Sequence, residues 1–215
     1  ITVVGVGRLG LCTALCMERS GYNVLGVDMF PSYIKSLNNK EYRTHEPSVM
    51  QYLTESQNFR ATTSLKEGLE FSDVIFIVVH TPNGGGKNFY DHSHLNSLLV
   101  NINKQKVENK HIVVCCTVMP TYICKIGKLL IRDCPNTTLN YNPEFIAQGD
   151  IINGFEHPDI ILIGEENAEA GDIIESIYHN VCKNEPDYCR LCPPTGAEIV
   201  KISINGFITT KISYA

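Results

Sequence analysis

A glycine pattern at residues 5–10 constrains the fold of this chain more than any other feature. Gly5, Gly7 and Gly10 are spaced as Gly-x-Gly-x-x-Gly, after an apolar segment that is predicted to be a strand and before one predicted to be a helix. In that setting the first glycine permits a tight turn, the second lets a phosphate approach the backbone, and the third lets helix and strand pack closely. The first part of the chain is therefore predicted to be a nucleotide-binding strand–turn–helix unit.

Strands and helices are predicted to alternate along the whole chain. The hydrophobic periodicity predicts strands at residues 1–6, 23–27, 59–62, 73–79, 112–116, 138–141 and 159–163. It predicts helices at residues 9–20, 31–38, 48–56, 64–70, 94–104, 121–132, 168–180 and 198–215. Such alternation is typical of an α/β fold with a Rossmann-type, doubly wound parallel sheet. We expect residues 1–195 to form this domain and residues 196–215 to begin a long connecting helix, with a truncated substrate and dimerisation domain beyond it.

Composition and charge exclude several classes of protein. The net charge of -5 argues against nucleic acid or an anionic membrane as the main partner. No run of about 18 apolar residues is present, so no membrane span is expected. The nine cysteines, without a signal peptide, indicate free thiols in a reducing cytoplasm. Cys189 and Cys192 form a lone C-x-x-C without the further ligands that zinc needs, so we expect no metal site.

The predicted cofactor is NAD, because an acidic residue closes the second predicted strand. Asp28 lies 18 residues after Gly10, and its carboxylate can accept charge-assisted hydrogen bonds from ribose hydroxyls, worth about 1.5–3 kcal/mol each. The 2′-phosphate of NADP, about 4 Å away, would be repelled by on the order of 4 kcal/mol at an effective dielectric of 20. The nearest following cation is Lys35. The alternative is a structural glycine turn beside a surface carboxylate.

Polar segments also follow three later predicted strands, at residues 80–82, 117–120 and 142–145. Because the carboxyl ends of parallel strands line one crevice, we expect Thr117 and Glu144 to face the same side of the sheet. Thr81 is either a cofactor contact or part of a turn at the strand end. Glu144 is either a site carboxylate or a surface carboxylate in a turn.

Lys201 and Asn205 are four residues apart in the last predicted helix, which places them on one helix face. Lys201 is either a solvated lysine or a partly buried, oriented amine. The apolar residues that surround it in sequence favour the buried amine. Asn205 lies within a helix, where asparagine is locally unfavourable, and this mildly favours a role in a site.

The combination of these segments resembles the UDP-glucose/GDP-mannose 6-dehydrogenase family. The Asn-Pro-Glu-Phe segment at residues 142–145, the segments 45–47 and 157–164, and the Lys201–Asn205 pair are similar to its N-terminal NAD-binding domain and the following helix. The resemblance covers nearly the whole chain. It implies an enzyme of the UDP-glucose type, in which two hydrides pass to two NAD molecules and the C6 alcohol of a nucleotide sugar becomes a carboxylate. It also implies a homodimer of the full-length protein.

The resemblance assigns roles to individual residues. It implies that Lys201 and Asn205 hold the C6 oxygen, that Glu144 helps to activate the water that hydrolyses a thioester, and that Thr117 positions this water. The residues expected to contact the cofactor are Gly5, Gly7, Arg8, Leu9, Gly10, Asp28, Thr81 and Thr117. Those expected to contact the substrate are Phe145, Ile146, Ala147, Gln148, Lys201 and Asn205.

The chain also departs from the family pattern. Gln148 stands where relatives often have an acidic residue, and Tyr33 stands where they have a basic residue that contacts the cofactor. The nucleophilic cysteine of the family lies downstream, in a second domain, so we expect this chain alone not to complete the oxidation. Two alternatives stay open at this point: a β-hydroxyacid or 6-phosphogluconate type of dehydrogenase, and a non-catalytic NAD-binding module.

Overall fold

A computed structural model describes residues 1–85, 89–146 and 149–215. In this part of the chain an eight-stranded sheet has the strand order β3-β2-β1-β4-β5-β6-β7-β8. The strands are β1 (Thr2–Val4), β2 (Val24–Val27), β3 (Phe59–Thr62), β4 (Val74–Ile77), β5 (His111–Val114), β6 (Thr138–Tyr141), β7 (Ile160–Gly164) and β8 (Asp187–Leu191). The helices are α1 (Arg8–Arg19), α2 (Pro31–Asn38), α3 (Val49–Glu55), α4 (Leu65–Phe71), α5 (Ser93–Lys104), α6 (Lys128–Leu130), α7 (Ile151–Glu156), α8 (Ala168–Val181) and α9 (Thr195–Tyr214).

The sheet is buried on both faces, as a doubly wound fold requires. Neighbouring residues of one strand belong to different core clusters: the cluster of Val3 includes residues of α1, α7 and α8, whereas the cluster of Val4 includes residues of α5. The strands therefore consist largely of consecutive apolar residues, which is the pattern that a buried parallel sheet produces. The predicted α/β, Rossmann-type fold is confirmed.

The order in which successive strands are added to the sheet reverses between β1 and β4. β1 pairs in parallel with β2 on one side and with β4 on the other. The connections from β1 and from β4 consequently leave the sheet in opposite directions, which opens a crevice at the carboxyl ends of these strands. The glycine turn at residues 5–10 lies at this crevice because it directly follows β1.

The prediction that every strand is parallel was wrong at one place. β7 is antiparallel to β6, with Tyr141 paired to Gly164, and β8 is then parallel to β7. A parallel return needs a helix that crosses the face of the sheet. In the described residues of the connection after β6 the helix is the short α7, which packs against α1, and β7 comes back alongside β6 in the opposite direction.

Other local differences have identifiable causes. Residues 121–132 do not form one regular α-helix: a π-helical segment spans Tyr122–Gly127 and α6 is a single short turn. α7 and β8 were not predicted, because α7 has six residues and β8 is a partly buried edge strand that mixes apolar with charged side chains. Only the first turns of α9 are packed: Ala197, Glu198 and Lys201 are buried. The proposed division of the chain at residue 195 stays a prediction.

No helix in the described residues is both long and apolar enough to span a membrane.

Candidate functional site

The glycine turn has the geometry that a bound pyrophosphate needs. A Cβ atom at Gly10 would come within 2.0 Å of the carbonyl oxygen of Gly5, and one at Gly5, where φ is +90°, within 2.5 Å of the carbonyl oxygen of Val78. A Cβ atom at Gly7 would meet nothing within 4 Å. Gly5 and Gly10 are therefore required by packing, whereas Gly7 faces open space at the start of α1. No side chain caps this helix start, where an anion is favoured.

Asp28 lies beside the glycine turn. It follows β2, and the backbone N–H of Gly5 donates to the carbonyl oxygen of Val27 at 2.8 Å. Asp28 is partly buried. Tyr33, from α2, donates its hydroxyl to the carbonyl oxygen of Val6 at 2.6 Å. The structure thus places a neutral hydroxyl against the turn where the family pattern has a basic side chain, and the residues fit a dinucleotide without a 2′-phosphate.

Arg8 and Leu9 begin α1 directly after Gly7. Arg8 is exposed and Leu9 is partly buried beside the core. Both therefore lie next to the turn, and their contact with a cofactor stays a prediction.

The register of the sheet aligns the strand ends that precede three polar residues. Ile77 pairs with Val114, and Val114 pairs with Tyr141. His80, Thr117 and Glu144 each lie three residues beyond these paired positions, at the carboxyl edge. Thr81, partly buried, is one residue further along. Residues 86–88 lie outside the described part.

Lys201 is buried and oriented, as the apolar neighbours in sequence indicated. Lys201 is 7% exposed. The Nζ atom donates to the carbonyl oxygen of Glu144 at 2.6 Å and lies 4.4 Å from the ring centroid of Phe145. Burial lowers the pKa of the Lys201 amine, and the charge of Glu144 offsets part of this effect. The α9 lysine is therefore docked on the Asn-Pro-Glu-Phe segment.

The Glu144 side chain lies in an environment that favours its neutral form. Its carboxyl Oε1 is 3.0 Å from the hydroxyl of Tyr178 in α8. Burial raises the pKa of Glu144 to about 7, against the hydrogen bond with Tyr178 and the charge of Lys201, which both act to lower it. A carboxyl group that titrates near neutral pH is suited to general acid–base chemistry. The surface-carboxylate alternative for Glu144 does not agree with this partly buried position.

Asn205 lies one turn beyond Lys201 on α9. It is partly buried, and its Nδ2 donates to the hydroxyl of Tyr90 at 3.3 Å. Tyr90 precedes α5, so this contact connects α9 to the loop after β4. The Lys201 amine and the Asn205 amide are consequently held by two different loops of the carboxyl edge.

A cavity of about 290 Å³ lies beside Glu144. Phe145, Ile146 and Tyr178 are among the residues that line it, together with α7 and the start of β7. Phe145 and Ile146 are both partly buried, and Ala147 and Gln148 lie outside the described residues. Glu46, in the His-Glu-Pro segment, accepts a hydrogen bond from the backbone N–H of Ile151 at 2.8 Å and so holds the start of α7.

Sequence reasoning missed Tyr178, Tyr90 and the role of the Asn142 side chain. Tyr178 is spaced with Ile174 and Val181 on the buried face of α8, so its pattern predicts a core residue. Only the fold shows that its hydroxyl reaches Glu144, 34 residues earlier. No short-range sequence signal identifies such a contact.

The cysteines differ in their exposure. Cys115 and Cys116 are buried, and burial raises the pKa of Cys116 to about 12. All nine cysteines are free thiols. In the described part of the chain no group of His, Cys, Asp or Glu is arranged to hold a metal ion.

Comparisons with known proteins agree with this geometry. Residues 1–182 match the model of the UDP-glucose/GDP-mannose dehydrogenase family, NAD binding domain. A UDP-glucose 6-dehydrogenase of Rickettsia bellii is 29% identical over 220 residues, which is 100% of this chain and 50% of that protein. A GDP-mannose 6-dehydrogenase of Pseudomonas aeruginosa is 27% identical over 227 residues, again 100% of this chain and 51% of that protein. The chain thus spans about half the length of these curated relatives.

Solved structures show the same fold. A GDP-mannose dehydrogenase from Pseudomonas aeruginosa, in a ternary complex, superposes with a TM-score of 0.90 and 25% identity over 99% of this chain and 50% of that one. A UDP-glucose dehydrogenase from Pyrobaculum islandicum superposes with a TM-score of 0.89 at 24% identity, over 99% of this chain and 50% of that one. The family match over most of the chain, together with the glycine turn, shows that this chain belongs to the UDP-glucose/GDP-mannose dehydrogenase family and contains its NAD-binding domain.

Proposed function

We propose that this chain is the cofactor-binding part of an NAD-dependent nucleotide-sugar 6-dehydrogenase of the UDP-glucose type. The observation that carries the proposal is the docking of Lys201 on the segment of Glu144 and Phe145. It brings an ammonium group from α9 to the carboxyl edge of the sheet, beside a carboxyl group with a pKa of about 7. This is the edge at which dinucleotides bind in doubly wound folds.

The residues around the glycine turn would hold the cofactor. The backbone at residues 5–10 binds the pyrophosphate, and Asp28 accepts hydrogen bonds from ribose hydroxyls. Thr81 and Thr117 follow β4 and β5 and lie on the nicotinamide side of the crevice. When NAD is bound it supplies the acceptor for the hydride that leaves C6 of the sugar.

Lys201 and Asn205 would bind the C6 oxygen. Both side chains present N–H donors from one face of α9, so they stabilise negative charge that develops on this oxygen. One such donor contributes about 3–4 kcal/mol to the transition state of comparable reactions. Glu144 accepts a proton from the hydrolytic water, which Thr117 positions, because a carboxyl group with a pKa of about 7 is partly ionised at neutral pH.

The second oxidation needs a thiolate nucleophile, and among the described residues Cys115 and Cys116 are buried thiols. Cys115 and Cys116 lie nearest to Thr117 in sequence, but burial raises both pKa values, so they stay protonated thiols. We therefore place the nucleophile in a further domain of the parent protein. By the same proposal the chain alone binds NAD without completing the oxidation, and the full-length protein is a cytoplasmic homodimer.

The test measures both oxidations in the full parent protein. With UDP-glucose as substrate, absorbance at the NADH band should report two NADH for each acid formed. The Lys201→Met variant should lose about 100-fold or more in kcat, which is what the loss of one such donor costs. Lys211→Met is the matched control, because Lys211 is exposed on the same helix and should leave kcat unchanged.

The alternatives predict other outcomes of this experiment. A β-hydroxyacid or 6-phosphogluconate type of dehydrogenase would reduce NAD with a hydroxyacid and not with a nucleotide sugar. A non-catalytic module would bind NAD in calorimetry and show no turnover with any of these substrates. GDP-mannose and N-acetyl sugar nucleotides, assayed in parallel, test the UDP-glucose type.

A further inference from the structure

The orientation of the buried Asn142 amide is determined by a backbone partner. Asn142 is 2% exposed, and its Nδ2 donates to the carbonyl oxygen of Leu162 in β7 at 3.0 Å. A carbonyl oxygen can only accept, so the nitrogen of the amide must face Leu162. The Oδ1 atom therefore faces the opposite way, toward Tyr178.

Tyr178 has one hydroxyl proton and two oxygen neighbours. Its hydroxyl oxygen is 2.6 Å from Asn142 Oδ1 and 3.0 Å from Glu144 Oε1. An amide oxygen cannot donate, so the Asn142 contact exists as a hydrogen bond only if Tyr178 donates to it. The Tyr178 oxygen then presents a lone pair to Glu144. A hydrogen bond between them forms only if Glu144 supplies the proton.

We propose that Asn142 and Tyr178 are positioning residues for Glu144: Asn142 accepts the hydrogen bond that Tyr178 donates, and the resulting relay from Glu144 to Tyr178 to Asn142 favours the protonated carboxyl over a geometry in which Tyr178 donates to the carboxylate. In this relay the carboxyl O–H of Glu144 donates to the Tyr178 hydroxyl, and that hydroxyl donates to Asn142. When Glu144 loses its proton to solvent water, the Tyr178 O–H turns to the carboxylate. Asn142 Oδ1 then loses its donor in a buried position, which costs free energy.

The other titratable groups around Glu144 do not replace the relay. Cys16 from α1, Cys115 after β5 and Cys182 after α8 face it with thiols whose pKa values burial raises, so they are neutral. Lys201 from α9 is the cation that acts on Glu144 among the described residues. Its Nζ is bonded to the backbone oxygen of Glu144. The ammonium favours the ionised carboxylate, and the relay opposes it.

The relay deepens the proposed function and rests on it for its catalytic meaning. Glu144 must be ionised to accept a proton from water, so the relay would determine the pH at which this step becomes fast. The proton released from Glu144 has a route to solvent in the adjacent cavity, which both Glu144 and Tyr178 line. This cavity is polar in part and large enough to hold several water molecules.

The test follows the ionisation of Glu144 directly, without an activity assay. The chain is labelled with ¹³C at the glutamate carboxyl carbons, and Glu144→Gln identifies the resonance during a pH titration. The midpoint should lie near pH 7 in the native chain. Asn142→Leu frees the Tyr178 proton for the carboxylate, so the midpoint should fall by about one pH unit or more. Tyr178→Phe removes the donor to the carboxylate, so the midpoint should rise.

The double variant and a matched control make the test specific. In the Tyr178→Phe background Asn142→Leu should have no further effect, because the relay is already interrupted. Tyr188→Phe removes a hydroxyl that contacts His179 in α8 and not Glu144, and it should leave the midpoint unchanged. Shifts of both single variants in the same direction, or no shift in Asn142→Leu, would overturn the relay.

A second measurement covers the case in which Asn142→Leu does not fold. In infrared difference spectra below pH 6, the C=O stretch of protonated Glu144 should move when Tyr178→Phe removes the acceptor of its proton, and an unmoved band contradicts the relay. The two proposals fail separately. A parent protein that does not oxidise nucleotide sugars refutes the proposed function, whatever the titration shows.

Discussion

The buried carboxylate of Glu198 provides the most direct test of how α9 is attached to the nucleotide-binding fold. Glu198 is 0% exposed, and its two carboxylate oxygens accept the backbone N–H groups of Thr121 at 2.5 Å and Ile123 at 2.7 Å. These N–H groups start the π-helical segment, where helix donors have no partner within the helix. The carboxylate of one helix therefore caps the start of another, 75 residues away or more.

The expected cost of Glu198→Ala follows from these two contacts. The substitution leaves two N–H groups without their acceptors, and a buried unsatisfied donor costs about 1–3 kcal/mol. The variant should therefore lose about 2–6 kcal/mol of unfolding free energy. Glu198→Gln keeps one acceptor oxygen and should lose about half as much. Against a typical total of roughly 5–15 kcal/mol, both changes are large.

The assay is urea denaturation of the 215-residue chain, followed by circular dichroism at pH 7. Glu185→Ala is the matched control, because Glu185 is exposed and an exposed substitution changes stability by about 0.5 kcal/mol or less. The order of stability should be native, then Glu198→Gln, then Glu198→Ala. A loss below about 1 kcal/mol in Glu198→Ala would refute the reasoning that these N–H groups depend on the carboxylate.

Three further predictions concern the cofactor turn and the candidate site. Gly10→Ala places a Cβ atom 2.0 Å from the carbonyl oxygen of Gly5, so thermal denaturation should show a clear loss of stability. Gly206→Ala is the control: its Cβ atom would meet nothing within 4 Å, so the substitution should be neutral or stabilising. Asp28→Ala should weaken NAD binding in calorimetry by about 10-fold or more and leave NADP binding unchanged or improved, and an unchanged NAD affinity would contradict the assignment of Asp28 to the ribose. Because the pKa of Glu144 is raised from 4.5 to about 7, the folded state holds a proton that the unfolded state has lost between these pH values, and stability falls as pH rises through this window. Glu144→Gln lacks this dependence. Urea titrations should therefore show that the free energy of unfolding of the variant, relative to that of the native chain, rises by about 3 kcal/mol between pH 4.5 and pH 8. A constant difference would be evidence against the raised pKa.

Local sequence patterns were sufficient to predict the glycine turn, the sheet buried on both faces and the burial of Lys201. The spacing of Gly5, Gly7 and Gly10 reports a backbone path that larger side chains cannot follow, so the turn was predictable without coordinates. The apolar runs that alternate with amphipathic segments report a sheet buried on both faces. The apolar neighbours of Lys201 in α9 likewise indicated a buried amine, and the residue is 7% exposed.

Other features depend on which segments meet in space. The antiparallel direction of β7 accompanies the packing of α7 against α1, a contact between segments that are distant along the chain. The contact between Glu198 and the start of the π-helical segment likewise joins residues that are distant along the chain, so local patterns do not predict it.

The sequence by itself determined the fold class, the cofactor turn and the identity of the polar groups at the carboxyl edge, because each depends on residues that are neighbours along the chain. Only the tertiary structure decided that Tyr178 meets Asn142 and Glu144, which lie 36 and 34 residues earlier in the chain. The physical reason is that a carboxyl group's proton affinity depends on its solvation and its hydrogen-bond partners, and both are supplied by segments that packing brings together.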